Sequence, residues 1–279
     1  MTAKIIDGKK IADKILNDLK SKIKNMSEKP GLALVLVGDN PASEIYVNFK
    51  EKTCKEVGFY CERYNLDKNI GELDLLKLVN ELNQKANIHG ILVQLPLPKQ
   101  IDENLITNSI LPHRDVDGFT SVNLGHLFSG NTITAPATAR ACLYLIETAV
   151  NIEGKNAVVV GRSNIVGKPV ALMLLDKNAT VTICHSKTKN LAEHTKKADI
   201  LVAAAGKPKL ITREMVKEGA VVIDIGISRV GSKIVGDVDF ENVKEVAGFI
   251  TPVPGGVGPM TIAMLMDNTL KAMELARKL

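Results

Sequence analysis

Ser43, Tyr46 and Lys50 stand at i, i+3 and i+7, so on a helix their side chains leave from one face. A hydroxyl, a phenol and an amine together can pass protons, a set that an ordinary packing face does not need. A partly exposed helix edge with an extended lysine is the plainer alternative. Before them, Gly38-Asp39-Asn40-Pro41 follows an apolar run over residues 32–37 that reads as a buried parallel strand. The C-terminal ends of such strands are where α/β sheets open their ligand crevices. Another apolar run leads into Gln94, at a similar edge, and Asp115-Val116-Asp117-Gly118 adds carboxylates in a loop-rich segment. Lysine, tyrosine, glutamine and aspartate converging on a cleft suit proton handling. Desolvation would lower the lysine's pKa and a carboxylate would raise it; the residues alone leave that balance open.

A second chemistry lies further along. Residues 157–160 lead into Gly161-Arg162-Ser163-Asn164-Ile165-Val166-Gly167-Lys168-Pro169, after which 171–175 reads as helix. Strand, glycine turn and helix together aim backbone N–H groups and a helix N-terminus at a pyrophosphate. The spacing is not G-x-G-x-x-G, and by spacing alone a ligand-free turn fits equally well. The end of the following strand, His185-Ser186-Lys187-Thr188, discriminates better. It has no carboxylate to hold ribose hydroxyls, whereas Arg162, Ser186 and Lys187 can bind a 2′-phosphate, which favours NADP over NAD. A surface strand cap made of the same residues remains the alternative.

The positioning elements follow from hydrophobic pattern. Ile11, Ile15, Leu19 and Ile23 mark a helix, and Pro30-Gly31 breaks it before the strand at 32–37. A helix over 42–57 ends at Gly58, a strand covers 59–64, Leu73, Leu76, Val79 and Leu82 mark a helix, and a strand covers 90–95. Strands separated by helices imply parallel crossovers, hence α/β. Residues 112–136, with glycines at 118, 125 and 130, read as loop and domain connection, followed by a helix to about residue 149. Short apolar runs at 156–160, 180–184, 200–204, 220–224 and 248–250 give a doubly wound, Rossmann-type pattern, and a last helix spans 260–279. The boundaries expected are 1–136 and 137–259, the last helix packing back on the first domain.

The chain of 279 residues is 45% hydrophobic and 24% charged, enough for two cores, which excludes disordered and fibrous classes. No opening apolar leader and no run of roughly 18 to 20 apolar residues appears, so a cytoplasmic protein without a membrane partner is expected. Cys54, Cys61, Cys142 and Cys184 lack CxxC spacing, which argues for reduced thiols and against a metal site. The net charge of +5 is spread along helix faces, and aromatics are 4% with no Trp. That pattern argues against nucleic acid and for a small anionic ligand.

Five motifs in order, Tyr46-Val47-Asn48-Phe49-Lys50, Gln94-Leu95-Pro96-Leu97-Pro98, Asp115-Val116-Asp117-Gly118, the turn from Gly161 to Pro169, and Pro252-Val253-Pro254-Gly255-Gly256-Val257-Gly258-Pro259-Met260-Thr261, closely resemble the bifunctional methylenetetrahydrofolate dehydrogenase/methenyltetrahydrofolate cyclohydrolase family. The resemblance spans essentially the whole chain. It implies oxidation of 5,10-methylenetetrahydrofolate by NADP⁺ and hydrolysis of the methenyl product to 10-formyltetrahydrofolate, in the one-carbon metabolism that feeds purine biosynthesis, by a homodimer. Lys50 would handle the proton of the hydrolytic step with Gln94, Tyr46 would shape the folate site, and Asp117 would anchor the pterin. Ser43, Pro254 and Gly255 would line the folate side. Gly161, Arg162, Ser163, Val166, Gly167, His185, Ser186, Ile227 and Thr261 would line the cofactor side.

There are departures. The family carries Pro-Cys-Thr-Pro with Gly two residues later, where this chain has Pro136-Ala137-Thr138-Ala139-Arg140-Ala141, and Thr120 stands where histidine often occurs. Exchanging proline and glycine for alanine predicts a more regular helix there. Two other readings stay open: a dehydrogenase without the hydrolytic activity, and a non-catalytic regulatory protein that binds NADP and folate.

Overall fold

The computed structural model describes residues 2–231 and 233–277. The chain forms two compact units, one of Asp13–Ala137 with Ile262–Leu279, the other of Met1–Ala12 with Thr138–Thr261. It passes between them within the helices Gly8–Lys24, Ala137–Glu147 and Val257–Ala276. The units change over at 12/13, 137/138 and 261/262, and the first of these has no counterpart in the division expected from the sequence. Residues 1–12 group with the second unit because Lys4–Ile5 adds a parallel strand beside Phe249–Ile250, a pairing no local pattern announces.

The unit containing Lys50 has a parallel sheet in the order Tyr60–Leu66, Gly31–Val37, Gly90–Val93. The central strand is buried at every position, which is why its sequence is uniformly apolar instead of alternating. The chain moves from it to one neighbour and then to the other, so its C-terminal end is the topological switch point. The helix Pro41–Val57 starts there. Asn40 Oδ1 accepts from the N–H groups of Ala42 and Ser43, Pro41 fills the first turn, and Gly58, at φ +96°, takes the left-handed conformation that ends it.

In Glu72–Gln84 the buried stripe is Leu75, Val79, Leu82 and Asn83, whereas Leu73 is 79% exposed. The helix that Leu73, Leu76, Val79 and Leu82 mark is present, and because each step of three falls about 60° short of a full turn, Leu73 faces away from Leu82. Residues 112–136 are not all loop. Ser121–Phe128 is helical, capped by Thr120 Oγ1 accepting from Asn123 N–H, and its central Gly125 hides it from propensity.

The other unit has a six-stranded parallel sheet in the order Lys4–Ile5, Phe249–Ile250, Val221–Asp224, Ile200–Ala203, Asn156–Val160, Thr180–Cys184. Asn156–Val160 pairs with both Thr180–Cys184 and Ile200–Ala203, so its end, where the glycine turn begins, is again a switch point. An antiparallel hairpin, Ser228–Val230 with Lys233–Val235, was not expected. The four cysteines are free. Among the described residues no helix is long and apolar enough to cross a membrane, and no cluster of three or more His, Cys, Asp or Glu side chains is placed to hold a metal.

Candidate functional site

Lys50 is only 8% exposed, and its Nζ donates to Gln94 Oε1 at 3.0 Å. Gln94 is itself fixed: its backbone N–H donates to Val35 O at 2.8 Å, extending the ladder past Gly90–Val93, and its Nε2 donates to Leu95 O at 2.8 Å. The second bond turns Oε1 toward the lysine. Burial pushes the Lys50 ammonium below the ordinary lysine value, and the attraction of Asp117, acting the other way, does not restore it. That settles the balance the residues left open. Asp117 is pushed up, first by burial, with Lys50 opposing and Asp115 adding to the shift. One turn before Lys50 on the same face, Tyr46 is half-buried and its phenol is pushed up by burial; Ser43 is buried.

The two aspartates of Asp115-Val116-Asp117-Gly118 have different work. The Asp115 carboxylate is buried and accepts from Gly118 N–H at 2.9 Å, Thr120 N–H at 2.8 Å and Asn123 Nδ2 at 2.9 Å. It ties the turn to the next helix, and its charge is compensated by those donors. Gly118, at φ +74°, would bring a Cβ within 2.7 Å of the Ala135 carbonyl carbon, so only glycine fits. Asn268 Nδ2 donates to Val116 O at 2.8 Å and Ala135 O at 3.1 Å, bracing both sides of the turn from the last helix. Asp117 is left as the carboxylate in the field of Lys50. The clamp roles of Thr120, Asn123 and Asn268 escaped sequence reasoning, since nothing local distinguishes a clamp from a surface polar residue.

In the other unit, Gly161 (φ +147°) would put a Cβ 2.2 Å from Ala204 O, and Gly167 would put one 2.3 Å from Gly161 O. Both glycines are therefore demanded by the turn folding against itself and against the neighbouring strand end. Ser163 Oγ accepts from Val166 N–H and Gly167 N–H, bracing the turn ahead of the helix Gly167–Asp176. Arg162, Ser163, Ser186 and Lys187 are exposed. His185 N–H donates to Thr188 Oγ1 and Lys187 N–H to His185 Nδ1, which curls residues 185–188 into a tight turn. A helix N-terminus behind a glycine turn, with a guanidinium, a hydroxyl and an ammonium, is a set that fits the phosphates of a dinucleotide. Val166 is half-buried, Ile227 is 48% exposed, and Thr261 Oγ1 donates back to Val257 O. Pro254 is exposed and Gly255 sits at φ +109°, its carbonyl accepting from Lys9 N–H at 2.9 Å.

The altered segment is ordered as helix from Ala137, with Ala137, Ala139 and Ala141 all buried. Sequence reasoning missed one further cluster. Asp224, at the end of the strand Val221–Asp224, and Asp237, just after Lys233–Val235, are both buried and bind backbone N–H groups, flanked by Gly226 and Gly236, where a Cβ would strike the carboxylates. Burial pushes the Asp224 carboxyl up to about 6.

Residues 6–117 match the catalytic domain, and residues 136–277 the NAD(P)-binding domain, of the tetrahydrofolate dehydrogenase/cyclohydrolase family. The chain is 55% identical over 277 residues to the bifunctional protein FolD of Moorella thermoacetica, covering 98% of this chain and 99% of that one. It superposes on the crystal structure of the bifunctional FolD enzyme of Campylobacter jejuni with a TM-score of 0.95 and 48% identity, covering 98% and 99% of the two chains. The Trypanosoma brucei enzyme, solved with NADP and an inhibitor, gives a TM-score of 0.96 at 38% identity over the full length of both. With its two domains matched in order, the chain belongs to the tetrahydrofolate dehydrogenase/cyclohydrolase family.

Proposed function

We propose that this protein oxidises 5,10-methylenetetrahydrofolate with NADP⁺ to the 5,10-methenyl compound and adds water to that cation to give 10-formyltetrahydrofolate and a proton. The observation that carries the hydrolytic half is the buried Lys50 held 3.0 Å from Gln94 Oε1 in the field of Asp117. Burial holds the ammonium's pKa down, so a neutral amine is accessible nearer physiological pH than for a surface lysine. In that form Lys50 takes a proton from the water that attacks the methenyl carbon and returns it as the ring C–N bond opens. Gln94 fixes the direction of Nζ, and Tyr46, one turn away, packs against the folate with Ser43. Asp117 accepts from the pterin N–H groups, which orients the reacting carbon.

NADP⁺, when bound, supplies the electron-pair acceptor of the oxidation, and the protein's part in that half is binding and orientation. The turn at Gly161–Gly167 carries the pyrophosphate, with Ser163, Val166, His185, Ile227 and Thr261 lining the site. Arg162, Ser186 and Lys187 take the 2′-phosphate, so NADP is preferred to NAD. In this reading Asp13–Ala137 with Ile262–Leu279 is the folate unit, and the protein is a cytoplasmic homodimer. Turnover of methylenetetrahydrofolate with each nicotinamide cofactor, following methenyl and formyl products separately, tests the whole; sedimentation velocity tests the dimer. Methenyl product accumulating without formyl product removes the hydrolytic half, and cofactor binding without turnover removes both.

A further inference from the structure

The dinucleotide turn leans on a loop that has no side chain of its own to hold it. Gly161 packs so closely on Ala204 that a Cβ would lie 2.2 Å from Ala204 O, so the position of the segment 204–206 sets the floor under the turn. This segment follows Ile200–Ala203 and contains Gly206 at φ +65°. What fixes it is Asp237: its Oδ2 accepts from Ala205 N–H at 2.6 Å and Gly206 N–H at 2.8 Å. Asp237 is fully buried, and among the described residues its Oδ1 has no hydrogen-bond partner.

Asp237 is in turn held by Asp224. Asp224 Oδ1 accepts from Asp237 N–H and Gly226 N–H, both at 2.9 Å, and its Oδ2 accepts from Val238 N–H at 2.9 Å. Asp224 N–H donates to Thr251 Oγ1 at 2.8 Å. Two carboxylates therefore stitch three backbone segments, 204–206, 225–227 and 236–238, to the C-terminal edge of the sheet. Gly226 and Gly236 keep that stitching possible, since a Cβ would fall 2.3 Å from Asp237 Oδ1 and 1.9 Å from Asp224 Oδ2. A buried carboxylate oxygen without a partner carries a desolvation cost, which a residue serving packing alone could shed by becoming apolar.

We infer that Asp237 is a positioning residue for the dinucleotide: by holding the Ala205 and Gly206 N–H groups it fixes the backbone on which Gly161 and the pyrophosphate turn rest. This rests on the cofactor reading given above. It acts before the ligand arrives, so the loop is ordered in the free protein and binding does not have to order it.

The test uses the full chain. NADPH is titrated by its fluorescence into wild type, Asp237→Ala and Asp237→Asn, and hydrolysis of methenyltetrahydrofolate, whose lysine lies in the other unit, is assayed alongside. The alanine variant, which loses two charge-assisted bonds, is expected to bind NADPH about tenfold or more weakly while hydrolytic kcat/KM stays within about twofold. The asparagine variant, which keeps an oxygen for both N–H groups, is expected to recover most of the affinity. Wild-type affinity in the alanine variant, or an equal loss of hydrolysis, overturns the inference. If that variant does not fold, amide exchange in free wild type decides: slow exchange at Ala205 and Gly206 is expected, and fast exchange overturns it. A wild type that does not bind NADPH at all refutes the cofactor reading instead.

Discussion

Lys50 Nζ and Gln94 Oε1, 3.0 Å apart, join the helix Pro41–Val57 to the end of the strand Gly90–Val93, and the lysine donates to a neutral acceptor instead of pairing with a carboxylate. The arrangement keeps Lys50 buried without restoring its pKa to that of a surface amine. Gln94→Glu puts a carboxylate at that position and should raise the Lys50 pKa, moving the acidic limb of the hydrolytic kcat/KM profile to higher pH. Asp117→Ala removes the attraction that opposes burial and should move the limb the other way, with KM for the folate increased. Profiles that do not move, or move together, contradict a neutral-lysine mechanism.

The exposed guanidinium of Arg162 supplies the 2′-phosphate contact in the cofactor reading. Arg162→Ala should weaken NADP by about 10- to 100-fold, the worth of a hydrogen bond between charged groups, and leave NAD nearly unchanged. Isothermal titration with both cofactors reads this directly, and equal losses would remove the 2′-phosphate role.

His89 gives the protein a pH-dependent stability. Its Nδ1 accepts from Gly31 N–H at 3.0 Å, so that nitrogen carries no proton, and its Nε2 lies 3.3 Å from Glu28 Oε1. Burial, with the nearby Arg114 and Arg277, outweighs Glu28 and holds its pKa below the ordinary 6.5. The unfolded chain therefore takes up this proton first. Stability should fall as pH drops below about 6.5 and level off below the folded pKa. Thermal melts between pH 8 and 5 should show that slope in wild type and a flatter one in His89→Gln. Glu28, whose own pKa is held low chiefly by Arg277, acts only below about 4.5.

The alanines that replace the family's breakers should stabilise the helix Ala137–Glu147. Ala141→Gly, at a fully buried helical position, should cost about 1 kcal/mol. A fall of roughly 2 to 4 °C in melting temperature follows. An unchanged or higher melting temperature would mean that the segment gains nothing from its alanines.

Much of this was legible in the residues. The periodicity of Ser43, Tyr46 and Lys50 and the run ending at Gln94 are local patterns, and they put the lysine and its acceptor on adjacent elements. Three kinds of feature were not legible. Lys4–Ile5 pairs with Phe249–Ile250, a contact between distant segments that leaves no mark in either. The division of labour between Asp115, clamped by backbone N–H groups, and Asp117, left facing the lysine's charge, depends on which way each turn residue points. The Asp224 and Asp237 pair shows only as acidic residues beside glycines, a common surface pattern, until the sheet buries them.

The account stands most directly on Lys50. With Lys50→Met, which keeps the length of the side chain and removes the amine, hydrolysis of methenyltetrahydrofolate should fall by about 10²- to 10⁴-fold. NADP-dependent oxidation of methylenetetrahydrofolate by the same preparation should persist, with methenyl product accumulating. Hydrolysis at the wild-type rate in that variant would contradict the assignment of Lys50 as the group that moves the proton.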